Sequence, residues 1–364
     1  MQQVKWGEYK IEDLFSISNT LSFNSDVLVD GYEYDYVTRT SFNQGILQTT
    51  GFVNKENINS AGNWSLGLLQ MDFFYRKKPW YAGQFVRKVI PKFELSDSAI
   101  LFFTTLLNRL KPTLLSVLVR DVDKTFLNST IQVPITVDGK IDFGFIAEFV
   151  AELEAQRVAE LETYLQATGL KDYTLTKEEQ LAIDKLKKQE IQWEVITYQT
   201  VFDNIKQGRR LKKDDQIAGN IPFVMAGTTN TGVVGYISNP VAYFPQNAIT
   251  IDIFGNTFYR NYAFGAGDDT GVYWNESYKY TEEQMLFFTT SMAKSIHNQY
   301  SFGNKLRSSQ SLNIEMLVPI NKGEIDLYFI DTLVVAIKKL VIKDVVEYAD
   351  EKIFATKEVI AYNK

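Results

Sequence analysis

The chain has 364 residues, of which 45% are hydrophobic and 14% aromatic, so it is long enough for two ordinary domains and too apolar to be disordered. It contains no cysteine, which excludes disulfides, thiolate metal sites and cysteine catalysis. The net charge of −6 argues against a uniformly basic nucleic-acid binder. However, eleven acidic and six basic residues fall within positions 141–190, and the large segments on either side are nearly neutral.

The sequence offers no sign of export or membrane insertion. Its first residues lack a positively charged stretch followed by an apolar one, so we expect no secretory signal. The longest apolar stretches, such as residues 333–342, are too short to cross a bilayer and are interrupted by Lys338 and Lys339. We therefore expect a cytoplasmic protein.

The first half of the chain is predicted to form a mixed domain over residues 1–143, followed by a helical region over residues 144–191. Within the domain, two runs have the composition of strands and one has the period of an amphipathic helix. These elements are expected at residues 32–38, 98–110 and 129–137.

The helical region has two parts. Its first part carries an apolar stripe at helical spacing, formed by Ile146, Phe149, Val150, Leu153, Leu161 and Leu165. The pattern breaks at Thr168 and Gly169. A second helix is predicted over residues 176–191, because Thr176 and Glu179 have the spacing of a capping box.

The second half repeats this order, with a mixed domain over residues 192–324 and a helix over residues 325–364. A strand is predicted at residues 248–254 and an amphipathic helix at 282–297. The terminal helix begins near Asp326, and its stripe comprises Ile330, Leu333, Val334, Ile337, Leu340, Val341, Val345 and Tyr348. We expect the two striped helices to pair with each other; the alternative is that each packs on its own domain.

Short sequence matches show that the two halves are copies of one unit. FFTT occurs at residues 102–105 and again 185 residues later, and VPI at 133–135 recurs at the same offset. FYR at residues 74–76 recurs 184 residues later. YVTRTSFNQG aligns with FVMAGTTNTG at an offset of 187, which places Asn43 on Asn230. Because the period is half the chain, it indicates a duplicated domain-plus-helix unit rather than a solenoid.

This layout resembles the specificity subunits of type I restriction-modification systems and the similar subunits of BcgI-type (type IIB) enzymes. The similarity extends over the whole chain. It is carried by YVTRTSFNQGI (36–46), FFYRKKPWYAGQF (73–85), GRRLKKDDQIAGNIPFVMAGTTNTGVVGYI (208–237), NAITIDIFGNTFYR (247–260) and FGAGDDTGVY (264–273). The resemblance implies an α+β fold with two pseudo-symmetric target-recognition domains separated by long antiparallel coiled-coil helices.

The resemblance also implies a function. Each target-recognition domain would read one half of an interrupted double-stranded DNA site, and the helices would dock DNA adenine methyltransferase subunits, with a restriction or translocase subunit as a further partner. AdoMet and ATP with Mg²⁺, or Mg²⁺ alone, would bind those partners and not this chain. Consistent with a non-catalytic subunit, the sequence lacks an Asn/Asp-Pro-Pro-Tyr methyltransferase motif and a GxxxxGK[ST] phosphate loop.

Residue chemistry indicates the candidates for DNA contact, because phosphates are bound by Lys, Arg and small polar groups and bases by Arg, Lys, Asn, Gln or Thr on loops. The candidates of the first domain are Thr38, Arg39, Asn43, Gln44, Arg76, Lys77 and Lys78. Those of the second are Lys206, Arg209, Arg210, Lys212, Lys213, Thr228, Thr229, Asn230, Asn256, Arg260, Lys305, Arg307 and Gln310. For any single residue, a solvated surface charge is the alternative.

For several other polar or aromatic residues, a structural role is the simpler interpretation. Trp80 and Tyr81 could be core residues or stacking platforms, and Asp269 after a Gly turn is expected to cap backbone amides rather than bind a metal. The segment around Asp123 lacks the spacing of a nuclease core. Two rival functions remain open: an enzyme with its own cleavage or methylation site, and a duplicated protein-interaction scaffold without DNA specificity.

Overall fold

A computed structural model describes residues 4–362, with side chains described up to residue 355. The chain divides into two compact units. The first holds the residues up to Leu161 together with those from Lys352 on, and the second holds Glu162–Glu351. Each unit contains one domain of mixed strands and helices, which confirms the predicted α+β class. Within the described part of the chain, no helix combines the length and apolarity needed to span a membrane.

The first domain, defined here as residues 5–135, alternates short strands with helices. Its strands are β1 (Lys5–Lys10), β2 (Phe15–Asn19), β3 (Tyr34–Val37), β4 (Ile46–Thr50), β5 (Asn63–Gly67), β6 (Asp72–Arg76), β7 (Trp80–Ala82), β8 (Val86–Pro91) and β9 (Thr130–Ile135). Its helices are α1 (Ile11–Leu14), α2 (Asp97–Arg109), α3 (Lys111–Leu115) and α4 (Val122–Asn128).

Three sheets make up the first domain. β1 pairs antiparallel with β9, so the chain enters and leaves the domain on neighbouring strands. A four-stranded sheet has the order β2-β8-β5-β6, and a three-stranded sheet has the order β4-β3-β7 with β3 and β7 parallel. The main core contains Trp64, Phe103 and Val133, from strand β5, helix α2 and strand β9. Burial of such large side chains stabilises the fold by about 1.5–3 kcal/mol for each one.

The second domain, residues 193–325, follows the same plan. Its strands are β10 (Trp193–Thr197), β11 (Asn204–Gln207), β12 (Ala218–Val224), β13 (Val233–Ile237), β14 (Tyr243–Phe244), β15 (Ala248–Asp252), β16 (Thr257–Arg260), β17 (Phe264–Ala266), β18 (Thr270–Trp274), β19 (Glu315–Asn321) and β20 (Glu324–Ile325). The helix α6 (Lys177–Lys187) precedes this domain. The helices within the domain are α7 (Tyr198–Val201) and α8 (Glu282–Ser295).

Sheet topology confirms the internal duplication. The sheets of the second domain have the orders β10-β19-β20, β11-β18-β15-β16 and β13-β12-β17-β14, and β12 pairs parallel with β17. The repeated FFTT sequence now has a structural explanation, because its second phenylalanine, Phe103 or Phe288, is fully buried in the core of its domain. The helices that carry these residues begin at capping residues, Ser96 and Thr281.

Two long helices follow the domains: α5 (Phe143–Ala167) and α9 (Leu327–Tyr362). Each is capped by the aspartate of an Ile-Asp pair, which is Ile141-Asp142 before α5 and Ile325-Asp326 before α9. Asp142 Oδ1 accepts from Phe145 N, and Asp326 Oδ1 accepts from Phe329 N, both at 2.9 Å. The predicted helix starts are therefore confirmed at both places.

The first turns of each long helix pack against the preceding domain. Ile146 and Val150 of α5 belong to the core of the first domain, and Ile330 of α9 to that of the second. The alternative in which each helix packs on its own domain is thus correct for these turns. Further along α9, the predicted stripe is wrong, because its remaining members are exposed: Ile337, Leu340, Val341, Val345 and Tyr348. The buried residues there are Val346 and Ala349.

Helix α6 covers the next part of α9. Ala182 and Ile183 form a small apolar cluster with Leu333 and Ala336. The predicted capping box of α6 is present, with Thr176 as its N-cap and Glu179 at its third position. The helix ends at Lys187 rather than residue 191, since Gln189 has a positive φ of 58° and β10 begins soon afterwards.

Ion pairs join α9 to other helical segments within each unit. In the first unit, Lys352 Nζ lies 3.8 Å from Glu154 Oε2 of α5. In the second unit, Lys171 Nζ lies 2.5 Å from carboxylate oxygens of both Glu162 and Asp350. These hydrogen bonds raise the pKa of Lys171, so this lysine is charged at neutral pH.

Candidate nucleic-acid interface

The first candidate contact element is turn 1, defined as Ser41–Gly45, between β3 and β4. Three successive residues have positive φ: Asn43 at 46°, Gln44 at 52° and Gly45 at 79°. Thr38 N donates to Gly45 O at 2.8 Å and closes the turn. The residues before the glycine are all exposed. Turn 1 therefore presents a short row of side chains on a backbone that non-glycine residues seldom adopt.

Arg76, the last residue of β6, supports turn 1 from inside the domain. Its side chain is almost fully buried; Nη2 donates to Gln44 O at 2.5 Å and Nε donates to Ser65 Oγ at 2.9 Å. Burial lowers the pKa of the guanidinium to about 10, and the nearby Asp35 carboxylate opposes that decrease. At neutral pH the group stays protonated and keeps its donors for these internal partners.

Turn 2, defined as Thr228–Gly232, occupies the corresponding place in the second domain. Asn230, Thr231 and Gly232 again have positive φ, at 47°, 51° and 84°. Met225 N donates to Gly232 O at 2.9 Å, as Thr38 does in the first copy. The two copies of YVTRTSFNQG/FVMAGTTNTG therefore share one backbone conformation.

Arg260, the last residue of β16, supports turn 2 in the same way. Nη2 donates to Thr231 O at 2.5 Å, Nη1 to Tyr262 OH at 3.0 Å, and Nε to Thr250 Oγ1 at 3.1 Å. Burial lowers the pKa of this guanidinium as well. The segment leading into turn 2 is also anchored, because Gly227 N donates to Asp252 Oδ2 at 2.9 Å.

Four predicted DNA contacts need correction or a second role. Arg76 and Arg260 are about 2% and 1% exposed, so we no longer expect either to touch DNA directly. Asn256 is half-buried and donates to Asp252 Oδ2 at 2.8 Å, which makes it part of the support of turn 2. Lys78 is half-buried, and its ammonium pairs with Asp35 Oδ1 at 2.9 Å.

A groove lies beside turn 1. Groove 1 has a volume of about 530 Å³, and its lining includes Thr38, Arg39, Gln70 and Gln84. The Arg39 guanidinium lies 5.3 Å from the ring centre of Phe85, which holds an exposed cation at the edge of the groove. The two glutamines of the lining did not figure in the sequence prediction.

Groove 2, in the second domain, has a volume of about 640 Å³ and a more basic lining. It contains Arg210, Lys212 and Lys213 together with Gln216 and Asp268. The two grooves correspond, since positions 38 and 47 of groove 1 align with 225 and 234 of groove 2 at the repeat offset of 187.

A larger cleft of about 860 Å³ joins two basic segments of the second domain, residues 206–213 and 301–310. Its lining includes Lys206, Arg209, Arg210, Ser308 and Ser309. Hydrogen bonds bring the later segment here: the Ser308 amide donates to the Gln207 carboxamide at 2.8 Å, and the Arg307 guanidinium donates to the Asp268 carbonyl. Clusters almost a hundred residues apart in sequence thus form one surface.

Most of the remaining predicted contacts are on the surface of their domains. The exposed ones are Arg39, Asn43, Gln44, Lys77, Lys206, Arg209, Arg210, Lys212, Lys213, Thr228, Thr229, Asn230, Lys305, Arg307 and Gln310, and Thr38 is half-buried. Two of the lysines lie over aromatic rings, Lys206 at 5.2 Å from Trp274 and Lys305 at 4.5 Å from Phe302. These contacts hold the ammonium groups in place without neutralising their charge.

The other polar features have internal partners. Trp80 and Tyr81 are fully buried and belong to the interior of the first domain. The Asp123 carboxylate accepts from Arg87 Nε at 3.0 Å, and Asp269 Oδ2 caps the Ala226 amide at 3.0 Å. Among residues 4–355, whose side chains the structure describes, no group of three or more His, Asp or Glu is arranged to hold a metal ion.

The geometry suits binding of a nucleic acid, which is a polyanion whose base edges differ along its length. Each domain combines a rigid, exposed polar turn with an adjacent groove that carries exposed cations. Cations bind phosphates without regard to sequence, whereas Asn, Gln and Thr side chains on a fixed backbone can distinguish base edges. Groove 2 and the adjoining cleft carry more cations than groove 1 does.

Comparison with known proteins gives a consistent result. The sequence profile of the type I restriction modification DNA specificity domain matches residues 3–163 and again 190–348. The chain is 21% identical over 323 residues to the specificity subunit S.BcgI of the type II restriction enzyme BgcI from Heyndrickxia coagulans, covering 87% of this chain and 89% of the relative. It also resembles in fold the crystal structure of a type I restriction-modification S subunit from M. genitalium, with a TM-score of 0.55, 14% identity, and coverage of 99% of this chain and 95% of that one.

Proposed function

Because the chain belongs to the family of type I restriction-modification DNA specificity domains and carries two copies of that domain, we propose that it selects the DNA target of a restriction-modification enzyme. The target is bipartite: each domain reads one half-site in double-stranded DNA, and an unread gap separates them. The chain itself is non-catalytic, works in the cytoplasm, and directs methyltransferase and nuclease subunits to the site.

One observation carries this proposal: the same arrangement of buried arginine, left-handed turn and groove is built twice, with different exposed side chains. Turn 1 exposes Phe42, Asn43 and Gln44, whereas turn 2 exposes Thr229, Asn230 and Thr231. Equivalent positions with different hydrogen-bonding groups read different bases, so the target is asymmetric.

Apolar clefts, one in each unit, support docking of methyltransferase subunits. In the first unit, a cleft of about 850 Å³ is lined by Trp6, Phe102 and Phe149 among others. The second unit has a smaller cleft of about 350 Å³ at corresponding positions, lined by Trp193 and Phe287. Exposed tryptophans in a concave, mostly apolar surface are typical of protein interfaces. Cofactors belong to those partners: AdoMet, and ATP with Mg²⁺ or Mg²⁺ alone.

The test is to express the chain with its co-encoded methyltransferase, supply AdoMet and random-sequence DNA, and map the modified adenines by sequencing. We expect two short, different half-sites around a gap of fixed length. If no motif emerges and the chain also fails to bind the methyltransferase, the proposal fails and a protein-interaction scaffold becomes the better account.

We further propose that α5 and α9 form the antiparallel coiled-coil spacer that sets the gap. Insertion of seven residues into both helices adds about two turns, or roughly 10 Å, and keeps the apolar faces in phase. The gap should then grow by about three base pairs, at about 3.4 Å each, with both half-sites unchanged. A change in the bases read, with the gap unaltered, would contradict the spacer.

A further inference from the structure

The turns of both domains have a backbone that their own sequences do not favour. Three consecutive left-handed residues are rare outside glycine, and each non-glycine residue there carries strain. Thr231 is the clearest case, because its β-branched side chain is poorly accommodated at a φ of 51°. Such a turn persists only where surrounding groups hold it.

In each domain the main holding group is a buried arginine from another strand. Arg76 donates to the carbonyl of Gln44, and Arg260 to the carbonyl of Thr231, each at 2.5 Å. In both cases the acceptor is the residue before the closing glycine of the turn. A hydroxyl of the neighbouring strand, from Ser65 or Thr250, orients the planar guanidinium, and the Tyr262 hydroxyl accepts a further hydrogen bond from Arg260.

We propose that Arg76 and Arg260 are positioning residues that set DNA specificity without touching DNA. Each arginine fixes the conformation of its turn, so the exposed side chains of that turn meet base edges in one geometry. This inference rests on the proposed function, and it assigns one arginine to each half-site.

The physical basis is preorganisation. A turn that is already fixed loses little conformational freedom on binding, whereas a loosened turn must be ordered by the DNA itself. Hydrogen bonds to bases depend strongly on direction and distance, but contacts with phosphates tolerate movement. Loss of the arginine therefore reduces discrimination between correct and incorrect bases more than it reduces general affinity for DNA.

The experiment uses the full-length chain and a random 40-base-pair duplex library, with bound DNA selected and sequenced. Wild type should yield a two-part motif. Arg76→Gln should lose base preference in one half-site, on the order of tenfold or more, and leave the other intact. Arg260→Gln should show the reverse. A control, Lys55→Gln, removes the same charge from an exposed residue of the first domain that is neither a predicted DNA contact nor part of groove 1, and it should keep both half-sites.

The salt dependence of non-specific binding separates positioning from direct contact. A buried arginine that never meets a phosphate leaves the slope of log K against log salt unchanged, whereas loss of a phosphate contact lowers that slope by about 1. A lowered slope for Arg76→Gln or Arg260→Gln overturns the proposal. So does equal loss of preference in both half-sites.

Milder variants guard against unfolding. Ser65→Ala and Thr250→Val keep the arginine and remove the hydroxyl that orients it, and thermal unfolding shows whether each variant is folded. If the arginine variants do not fold, Ser65→Ala and Thr250→Val test the proposal instead. A weakened base preference in the matching half-site supports it, and an unchanged motif overturns it. If wild type selects no motif, the proposed function fails and this inference with it; a wild-type motif that folded variants read unchanged overturns this inference alone.

Discussion

The two domains have the same internal supports and different outer surfaces. Both place a buried arginine beneath a left-handed turn, and both close that turn with a glycine. Outside this framework they diverge. Groove 1 has Arg39 among neutral polar side chains, whereas groove 2 has Arg210, Lys212 and Lys213, and the adjoining cleft adds further cations.

This difference distinguishes two sets of residues. Those that maintain the backbone of the turn are shared by the two domains, whereas the exposed residues that would contact DNA are not. Few residue types can adopt and hold the backbone of a left-handed turn, so both copies use a glycine with positive φ and an arginine that donates several hydrogen bonds. The exposed positions carry no such constraint, and they differ. From this we infer unequal roles in binding, with the second domain providing most of the electrostatic attraction to DNA.

The largest expected effect tests that inference. Replacement of Arg209, Arg210, Lys212 and Lys213 together by Gln should lower the salt slope of DNA binding by up to about 4, against about 1 for Arg39→Gln, because each lost phosphate contact contributes about 0.9. Between about 50 and 200 mM salt, a slope change of that size alters affinity roughly a hundredfold. Binding titrations at several salt concentrations measure it, and equal slopes for the two variants would refute the asymmetry.

A smaller effect on stability tests the shared framework. A Cβ added at Gly232 would lie 2.7 Å from Met225 O, whereas at Gly45 the nearest atom, Arg76 Nη2, would be 3.3 Å away. Both glycines have positive φ, so both Ala variants carry strain of about 1–2 kcal/mol. Gly232→Ala adds a clash with backbone and should lower the free energy of unfolding by about 3 kcal/mol.

Denaturant unfolding of the full chain measures both variants. Gly235→Ala is the matched control, since nothing lies within 4 Å of its added Cβ and its φ is not positive. If Gly45→Ala proved the more damaging of the pair, the two turns would not be supported as the structure shows.

The smallest effect concerns pH. Asp203 accepts from the Ser277 hydroxyl and amide, which lowers its pKa to about 2, whereas the corresponding residue of the first domain is Ser16. A carboxylate with a depressed folded pKa contributes stability above its unfolded value and loses it as pH falls towards 2. Thermal unfolding from pH 5 down to about 2 should therefore show a shallower pH dependence for Asp203→Asn than for wild type. Identical pH profiles would mean that these hydrogen bonds are not maintained in solution.

Features set by local sequence were predicted well. The capping box at Thr176 and Glu179 and the starts of α5 and α9 depend on residues within one turn of each other, so the pattern was sufficient. The duplication was equally visible, because a repeat is a property of the sequence itself. In each half of the chain, a mixed set of strands and helices precedes a long helix.

The candidate site was only partly predictable, because its supports come from distant strands. The interaction of Arg76 with Gln44 spans 32 residues, and nothing near either one indicates it. One signal of these supports was present in the sequence, because FYR recurs in both copies although the neighbouring loops differ. A charged residue that is the same in both copies while exposed loops differ is more consistent with an internal role. Likewise, the apolar stripe of α9 could not show that α6 would cover Leu333 and Ala336.

The pairing of the first and last strands has a consequence for the history of such genes. Lys5 lies opposite Ile135, and Trp193 opposite Pro319, so the chain enters and leaves each domain at neighbouring points, about 5 Å apart. A coding segment bounded at those two points can be replaced without moving the points at which the chain joins the neighbouring helices. Under the proposed function, one crossover at each boundary would exchange one half-target, and assembly would be kept where the incoming domain retains the packing of Ile146 and Val150 and the cleft residues Trp6 and Phe102.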